Sequence, residues 1–369
     1  MYWPHPHRVA SSSAKAVRHD GDEVVVQALP SLHGESFSDV DAYRVVRDLP
    51  DPSASRSRWS RPLRFVRDPL RRVRARRRLL REGFDVLHVE TITYEVDAAD
   101  LPRLARRMAV VLMVHDVLPH RSPWPEVISD RLHRRVYRSG AHLVVYHRVL
   151  ADQLIEQFGV AADRVHVIPI PVSLVAESAE SAGSTDLRML LFFGSLRPNK
   201  GLQVLLDAIA LGLPSGIRVV IAGTGDAELE ASARSCSATH PHVEAEIGLI
   251  SAARKRELFR EASAVVLPYT SFAAQSGVLA DAYAAQVPLI VSDVGAIGPT
   301  VSDEATGLVV PPNDAPALIA AIAEFVASPA SRWEHALALA AQRHNPATVG
   351  AQLREVYRLA LADRRARPT

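Results

Sequence analysis

The sequence predicts an α/β protein built from two doubly wound domains. Three observations carry that expectation. Short continuous apolar runs alternate with segments of helical period, the pattern of parallel strands covered by helices on both faces. A small, polar stretch without period, 173–187, divides those runs into two sets. With 369 residues, 48% hydrophobic and 23% charged, the chain is long enough for two globular domains of ordinary size.

In the first set the strand-like runs are 23–29, 85–89, 110–114, 142–146 and 165–168. In the second they are 189–193, 218–222, 243–247, 264–267, 288–291 and 307–311. Helical spacing follows at 202–210 and 279–286, and a last amphipathic segment begins at Pro346 and runs to about Ala362. No strand follows that segment, so it is expected to pack back on the first domain. The expected organisation is an amino-terminal domain 1–172, a linker 173–187, a second domain 188–345 and a terminal helical segment 346–369. Only Tyr2-Trp3 precedes Pro4, so the strand that usually opens such a domain is very short or missing. Two domains joined this way are expected to face a central cleft, a preferred place for a small ligand.

Composition excludes several classes. The net charge of +2 makes no general case for nucleic acid. A single cysteine, Cys236, excludes an intramolecular disulfide and fits a reducing compartment. No apolar run reaches the roughly 20 residues that span a bilayer, and the first residues lack the apolar core of a signal peptide. A cytoplasmic protein is expected. Charge is nonetheless uneven, with twelve arginines lying between Arg56 and Arg81, interleaved with Trp59, Leu63, Phe65 and Leu70. A basic segment with an apolar side suits an anionic membrane surface, so a peripheral position at the inner membrane face is compatible with it.

The chemistry is concentrated at two strand ends of the second domain. The run 189–193 stops at Gly194-Ser195, and Arg197 and Lys200 follow before the next helical pattern. Open α/β sheets bind ligands at the carboxyl ends of their strands, and helix amino termini favour anions there. The motif is neither GxxxxGK[ST] nor GxGxxG; two cations at such a place suit a diphosphate. The second strand, 264–267, stops at Pro268, and Gln275-Ser276-Gly277-Val278 precede another helical segment. Ser276 can cap that helix and Gly277 lets backbone N–H groups approach a ligand. Two such sites would clasp both phosphates of a nucleoside diphosphate.

Together these residues resemble the retaining family-4 glycosyltransferases of the GT-B fold, in a QSGV-type subgroup lacking the first Glu of the family's E-x7-E motif. The likeness is carried by FFGSLRPNKGL (192–202), IAGTGDAELE (221–230), LPYTSFAAQSGVLADAYAAQVPLIVSDVG (267–295) and TGLVVPPND (306–314). VLHVE (86–90), MVHDVLPH (113–120) and RVHVIPIPV (164–172) resemble that family's acceptor domain.

The resemblance implies a role for each matching position. Lys200 and Arg197 would neutralise the donor diphosphate beside Gly194 and Ser195. The amides of Ser276, Gly277 and Val278 would hold the phosphate nearer the sugar. Gly248 and Ile250 would border the base. Asp281 stands at the second Glu position, where the family binds ribose. Ala273 stands at the first, and Gln275 would supply a neutral hydrogen bond in its stead. His115 would meet the donor sugar or the reacting centre. Asp116 and His120 are its neighbours on the acceptor side, and Glu90 would meet the acceptor.

The implied activity is retaining hexosyl transfer from a UDP- or GDP-linked sugar to an acceptor hydroxyl. The arginine-rich segment suggests a lipid-linked or membrane-proximal acceptor, as in surface polysaccharide or glycolipid assembly; a soluble acceptor is compatible with everything except that segment. No cofactor and no obligatory metal are expected, since Arg197 and Lys200 supply positive charge where the phosphate leaves. A second reading stays open: a catalytically degenerate GT-B protein acting as a nucleotide-binding or partner subunit. A nucleotide-sugar 2-epimerase is disfavoured by Ala273, because that chemistry wants several carboxylates.

Overall fold

Two separate parallel sheets account for most of the strands in the computed structural model, which describes residues 80–90, 94–118, 125–172, 187–271 and 276–367, together with 25–27, 44–46, 74 and 92. The chain divides into two compact units, residues 1–171 with 346–369 and residues 172–345.

In the first unit, β1 (Val25–Gln27) and β2 (Arg44–Val46) form a parallel pair. The main sheet runs β3 (Val86–Val89), β4 (Ala109–Met113), β5 (His142–Val145) and β6 (Val165–Val167), all parallel and in sequential order. Helices α1 (Tyr94–Leu104), α2 (Glu126–Tyr137) and α3 (Arg148–Phe158) make the crossovers. The β4 residues Val111 and Leu112 and the β5 residues Leu143 and Val144 are fully buried, as are Leu101 of α1 and Leu150 and Leu154 of α3. This is why both strands read as unbroken apolar runs rather than as alternation.

The second unit carries β7 (Arg188–Leu196), α4 (Leu202–Leu211), β8 (Ile217–Gly225), α5 (Ala227–Thr239), β9 (Val243–Ile247) and α6 (Ala252–Glu261). There follow β10 (Ala264–Leu267), α7 (Gly277–Ala284), β11 (Leu289–Ser292), α8 (Ile297–Asp303), β12 (Gly307–Val310), α9 (Ala315–Ala327) and α10 (Glu334–Arg343). The sheet order is β12-β11-β10-β7-β8-β9. The chain thus winds one way from β7 and then returns to wind the other way from β10, and the switch point falls between those two neighbours.

The last helix, α11 (Pro346–Ala366), belongs to the first unit, packs on β3 and β4, and buries Val349, Leu353, Val356 and Ala360. Its end is clamped by charge: Arg367 and Arg164 each reach Asp363 Oδ2 at 2.7 Å, and both donate to the Gly140 carbonyl.

Two expectations need correction. The strand expected to stop at Phe193 runs to Leu196, because Gly194, Ser195 and Leu196 pair with Gly223, Thr224 and Gly225 of β8. Gly194 and Ser195 are therefore strand residues, and the turn is the 3-10 segment Pro198–Lys200. That pairing is close: a Cβ on Gly223 would lie 1.8 Å from the Gly194 carbonyl oxygen, so only glycine fits. The pair β1–β2 adds a strand, Arg44–Val46, that the sequence reading missed. The stretch before residue 25 and the segment 173–186 lie outside the described residues, as does Arg56 to Arg81 apart from residues 74, 80 and 81.

Candidate active site

The switch point of the second sheet brings both phosphate-type loops together. After β7 the chain makes its 3-10 turn and enters α4 through Gly201, in the left-handed region at φ 70°. A Cβ on Gly201 would lie 1.7 Å from the Pro268 carbonyl oxygen, so the first loop presses on the end of β10 at a place open only to glycine. Thr270 stitches the loops further: its N–H donates to the Asn199 carbonyl at 3.2 Å and its hydroxyl to the Pro198 carbonyl at 3.3 Å. Asn313, after β12, donates to the Thr270 carbonyl at 3.3 Å.

Lys200 is half-buried, and its Nζ lies 3.9 Å from the centre of the Tyr269 ring. That cation–π contact fixes the ammonium without using its hydrogen-bond donors. Tyr269 is itself buried, and its hydroxyl lies 3.0 Å from Ser276 Oγ. Ser276 Oγ also accepts from the Val278 N–H at 3.3 Å, capping α7. Cation, ring and helix cap therefore form one connected unit. Gly277 is exposed at the helix start, and Gly194 lies against Val278, where a Cβ would stand 3.5 Å from its methyl. Arg197 is exposed, with its carbonyl taking the Lys200 N–H at 2.9 Å. Ser195 is half-buried on β7.

Gly248 ends β9 with its N–H donating to the Gly223 carbonyl at 2.9 Å; Ile250 is half-buried, and Leu249 between them is 95% exposed. Asp281 sits within α7, buried and ion-paired with Lys255 Nζ of α6. Its expected ribose contact thus starts from a carboxylate already engaged. Lys255 also lies 5.7 Å from the rings of Phe193 and Phe259. Gln275 and Ala273 lie outside the described residues.

In the first unit, three neighbouring strands deliver one residue each at their carboxyl ends: Glu90 after β3, His115 after β4 and Tyr146 after β5. His115 Nε2 lies 2.8 Å from the Glu90 carbonyl and 3.4 Å from its Oε1. Glu90 Oε2 lies 3.2 Å from His88 Nε2, and His88 Nδ1 lies 2.5 Å from the hydroxyl of Tyr357 on α11. On the other edge of His115, Nδ1 lies 3.0 Å from the Tyr146 hydroxyl. Glu90 was expected to meet an acceptor; its carboxylate is turned inward between two histidines. His88, Tyr146 and Tyr357 were not among the expected site residues.

The electrostatics follow from that packing. Burial opposes ionisation of Glu90, but the imidazoles of His115 and His88 outweigh it and lower its pKa from 4.5 to about 2. Burial likewise opposes a charge on His115, but Glu90 and Asp116 outweigh it and raise its pKa above 6.5. Tyr146 is held protonated by burial and by the same two carboxylates. A backbone carbonyl only accepts, so His115 Nε2 carries a proton in every charge state. Asp116 is half-buried, and its carbonyl accepts from the Tyr94 hydroxyl at 3.4 Å. His120 lies outside the described residues.

Comparison with known proteins finds two family matches in succession along the chain. Residues 6–171 match the glycosyl transferase 4-like domain and residues 188–328 match the glycosyl transferases group 1. A phosphatidyl-myo-inositol mannosyltransferase of Mycobacterium leprae is 27% identical over 77% of this chain and 76% of its own length. A D-inositol 3-phosphate glycosyltransferase of Xylanimonas cellulosilytica is 29% identical over 52% of this chain, which spans about half, 49%, of that relative. Among solved structures, Anabaena HepE in complex with UDP and glucose superimposes with a TM-score of 0.69 at 18% identity, covering 95% of each chain. Sucrose-phosphate synthase from Thermosynechococcus elongatus gives 0.72 at 18% identity, covering 96% of this chain and 92% of its own.

Proposed function

We propose that this chain, whose residues 6–171 match the glycosyl transferase 4-like domain and whose residues 188–328 match the glycosyl transferases group 1, moves a hexosyl group from a UDP- or GDP-linked sugar to an acceptor hydroxyl with retention of configuration. One observation supports the donor half most strongly: Lys200, Tyr269 and the Ser276-capped helix start form one connected unit at the sheet's switch point. Such a unit presents an ammonium and backbone N–H groups to an anion at little reorganisation cost.

In the proposed reaction the bond from the anomeric carbon to the diphosphate oxygen breaks. The acceptor oxygen bonds to the same face of that carbon, and its proton passes to the departing phosphate. Lys200 and Arg197 stabilise the charge that develops on the leaving group, and no obligatory metal is invoked. Gly194, Ser195, Gly277 and Val278 bring backbone close to the phosphates, while Gly248 and Ile250 border the base. His115 serves the transferred sugar. The acceptor is taken to be a lipid-linked or surface-glycan hydroxyl, a reading supported by the relative named for phosphatidyl-myo-inositol. The arginines of Arg56 to Arg81 would then rest on an anionic membrane surface; replacing half of them by Gln should release the protein from anionic vesicles.

A second reading, a nucleotide-binding partner without turnover, is favoured by one observation: Asp281 is buried against Lys255 rather than presented alone. Turnover separates the two. Incubated with UDP- and GDP-sugars and a lipid-linked acceptor, the protein should release nucleoside diphosphate only when acceptor is present. Tight nucleotide binding with no release would favour the partner.

A further inference from the structure

The residues around His115 form a chain of contacts that begins far away in sequence. Tyr357 lies on α11, 269 positions after His88. Its hydroxyl reaches His88 Nδ1, the other edge of His88 faces the Glu90 carboxylate, and Glu90 faces the proton-bearing edge of His115.

We propose that Glu90 and Tyr357 are positioning residues for His115: Tyr357 orients His88, His88 holds the Glu90 carboxylate, and Glu90 fixes the His115 ring and balances its positive charge. This rests on the reading that His115 serves the transferred sugar.

His88 Nε2 lies 3.2 Å from Glu90 Oε2 without a hydrogen bond, and a carboxylate, which only accepts, favours the proton on that nitrogen by charge. His88 Nδ1 then accepts the Tyr357 hydroxyl proton, which selects that tautomer. Glu90 also meets His115 twice: its carbonyl accepts from Nε2 at 2.8 Å, and its carboxylate, 3.4 Å away, supplies the counter-charge without a hydrogen bond at Oε1. The other edge, Nδ1, faces the Tyr146 hydroxyl at 3.0 Å. His115 keeps about a third of its side chain exposed, at 31%, whereas Glu90 keeps 15%. The charge is offered by the histidine, and the carboxylate stays behind it. The ionisable groups facing His115 are Glu90 from the end of β3, Asp116 from its own loop and Tyr146 after β5, with His88 on the far side of Glu90. Tyr357 from α11 acts through His88.

The test is histidine-labelled NMR of the full chain, recorded without donor so that its failure is distinct from failure of the functional reading. The wild-type His115 resonance should titrate above the ordinary histidine value, with Nε2 protonated throughout. Glu90→Gln should lower that titration toward the ordinary histidine value, since the largest raising contribution is lost. Tyr357→Phe should move it the same way by less and release the His88 tautomer. In turnover with a nucleotide sugar, Glu90→Gln should lower kcat with the donor KM kept, and Glu90→Asp should restore part of the loss. A wild-type His115 that titrates at or below the ordinary value overturns the proposal even if Glu90→Gln fails to fold. An unchanged His115 titration in either variant overturns the part assigned to that residue.

Discussion

The ammonium of Lys200 stands 3.9 Å from the centre of the Tyr269 ring, and the Tyr269 hydroxyl lies 3.0 Å from the cap of the next helix. One aromatic side chain thus aligns the cation of one loop with the N–H groups of the other. Tyr269→Phe keeps the ring and loses the hydroxyl contact; Tyr269→Leu loses both. Nucleoside diphosphate affinity, measured by calorimetry, should fall little in Tyr269→Phe and several-fold more in Tyr269→Leu, since a cation–π contact contributes about 0.5–2 kcal/mol.

Gly201→Ala should disturb both loops at once. Its Cβ would enter the Pro268 carbonyl, at 1.7 Å, and its φ of 70° is strained for alanine. Such strain costs on the order of 1–3 kcal/mol before the clash is counted. The urea midpoint should drop and nucleotide affinity with it. A variant as stable as wild type would mean that the loops are not in contact.

The Lys255–Asp281 pair is buried on both sides, at 7% and 3% exposure. Lys255→Met takes the buried counter-charge from the Asp281 carboxylate and should cost about 3–5 kcal/mol in urea unfolding. The double variant Lys255→Met, Asp281→Leu should recover most of that loss, because replacing both partners removes the uncompensated charge. A single variant without effect would place the pair in water.

Glu90 and His115 make stability depend on pH in a defined window. The Glu90 carboxyl, lowered from 4.5 to about 2, contributes stability that is present above 4.5 and lost as pH falls toward 2. The His115 imidazole, raised above 6.5, contributes stability that is present below 6.5 and lost as pH climbs through its folded value. Glu90→Gln should therefore be most destabilised relative to wild type between about pH 4.5 and 6.5, with the gap narrowing on either side. Urea midpoints from pH 3 to pH 9, taken for both proteins, check this; a constant gap would contradict the pairing.

The central strands of the parallel sheets were legible because they are buried on both faces and read as continuous apolar runs. Residues 264–267, all buried, were placed at their observed bounds for that reason, whereas 243–247 is an edge strand that alternates Val, Glu, Ala, Glu, Ile and buries only Val243. The end of β7 was not legible, because Gly194 and Ser195 have the composition of a turn and are held in the sheet only by their pairing with Gly223 and Thr224. The strand Arg44–Val46 has three residues and no flanking period. Lys255 lies in a helix crowded with charge, ARKRELFRE, where nothing local distinguishes a buried ammonium from its solvated neighbours.

Of the candidate site, residues in contiguous motifs could be found from their order along the chain, as Lys200 and Ser276 were. The contacts that orient them could not. Tyr357 meets His88 because α11 crosses back to β3; the return to the first domain was expected, but no spacing reveals which residue it meets there. Tyr146 had a usable signal, since it ends a strand as His115 does one strand earlier.

The central claim is that the switch point of the second sheet binds a nucleoside diphosphate through Lys200. Calorimetric titration of UDP and GDP into wild type and Lys200→Ala tests it most directly. One of the two should bind wild type and lose about 10- to 100-fold in affinity in the variant, the loss expected for a charge-assisted contact of about 1.5–3 kcal/mol. Equal affinity in both proteins, or no binding of either nucleotide to wild type, would contradict the account.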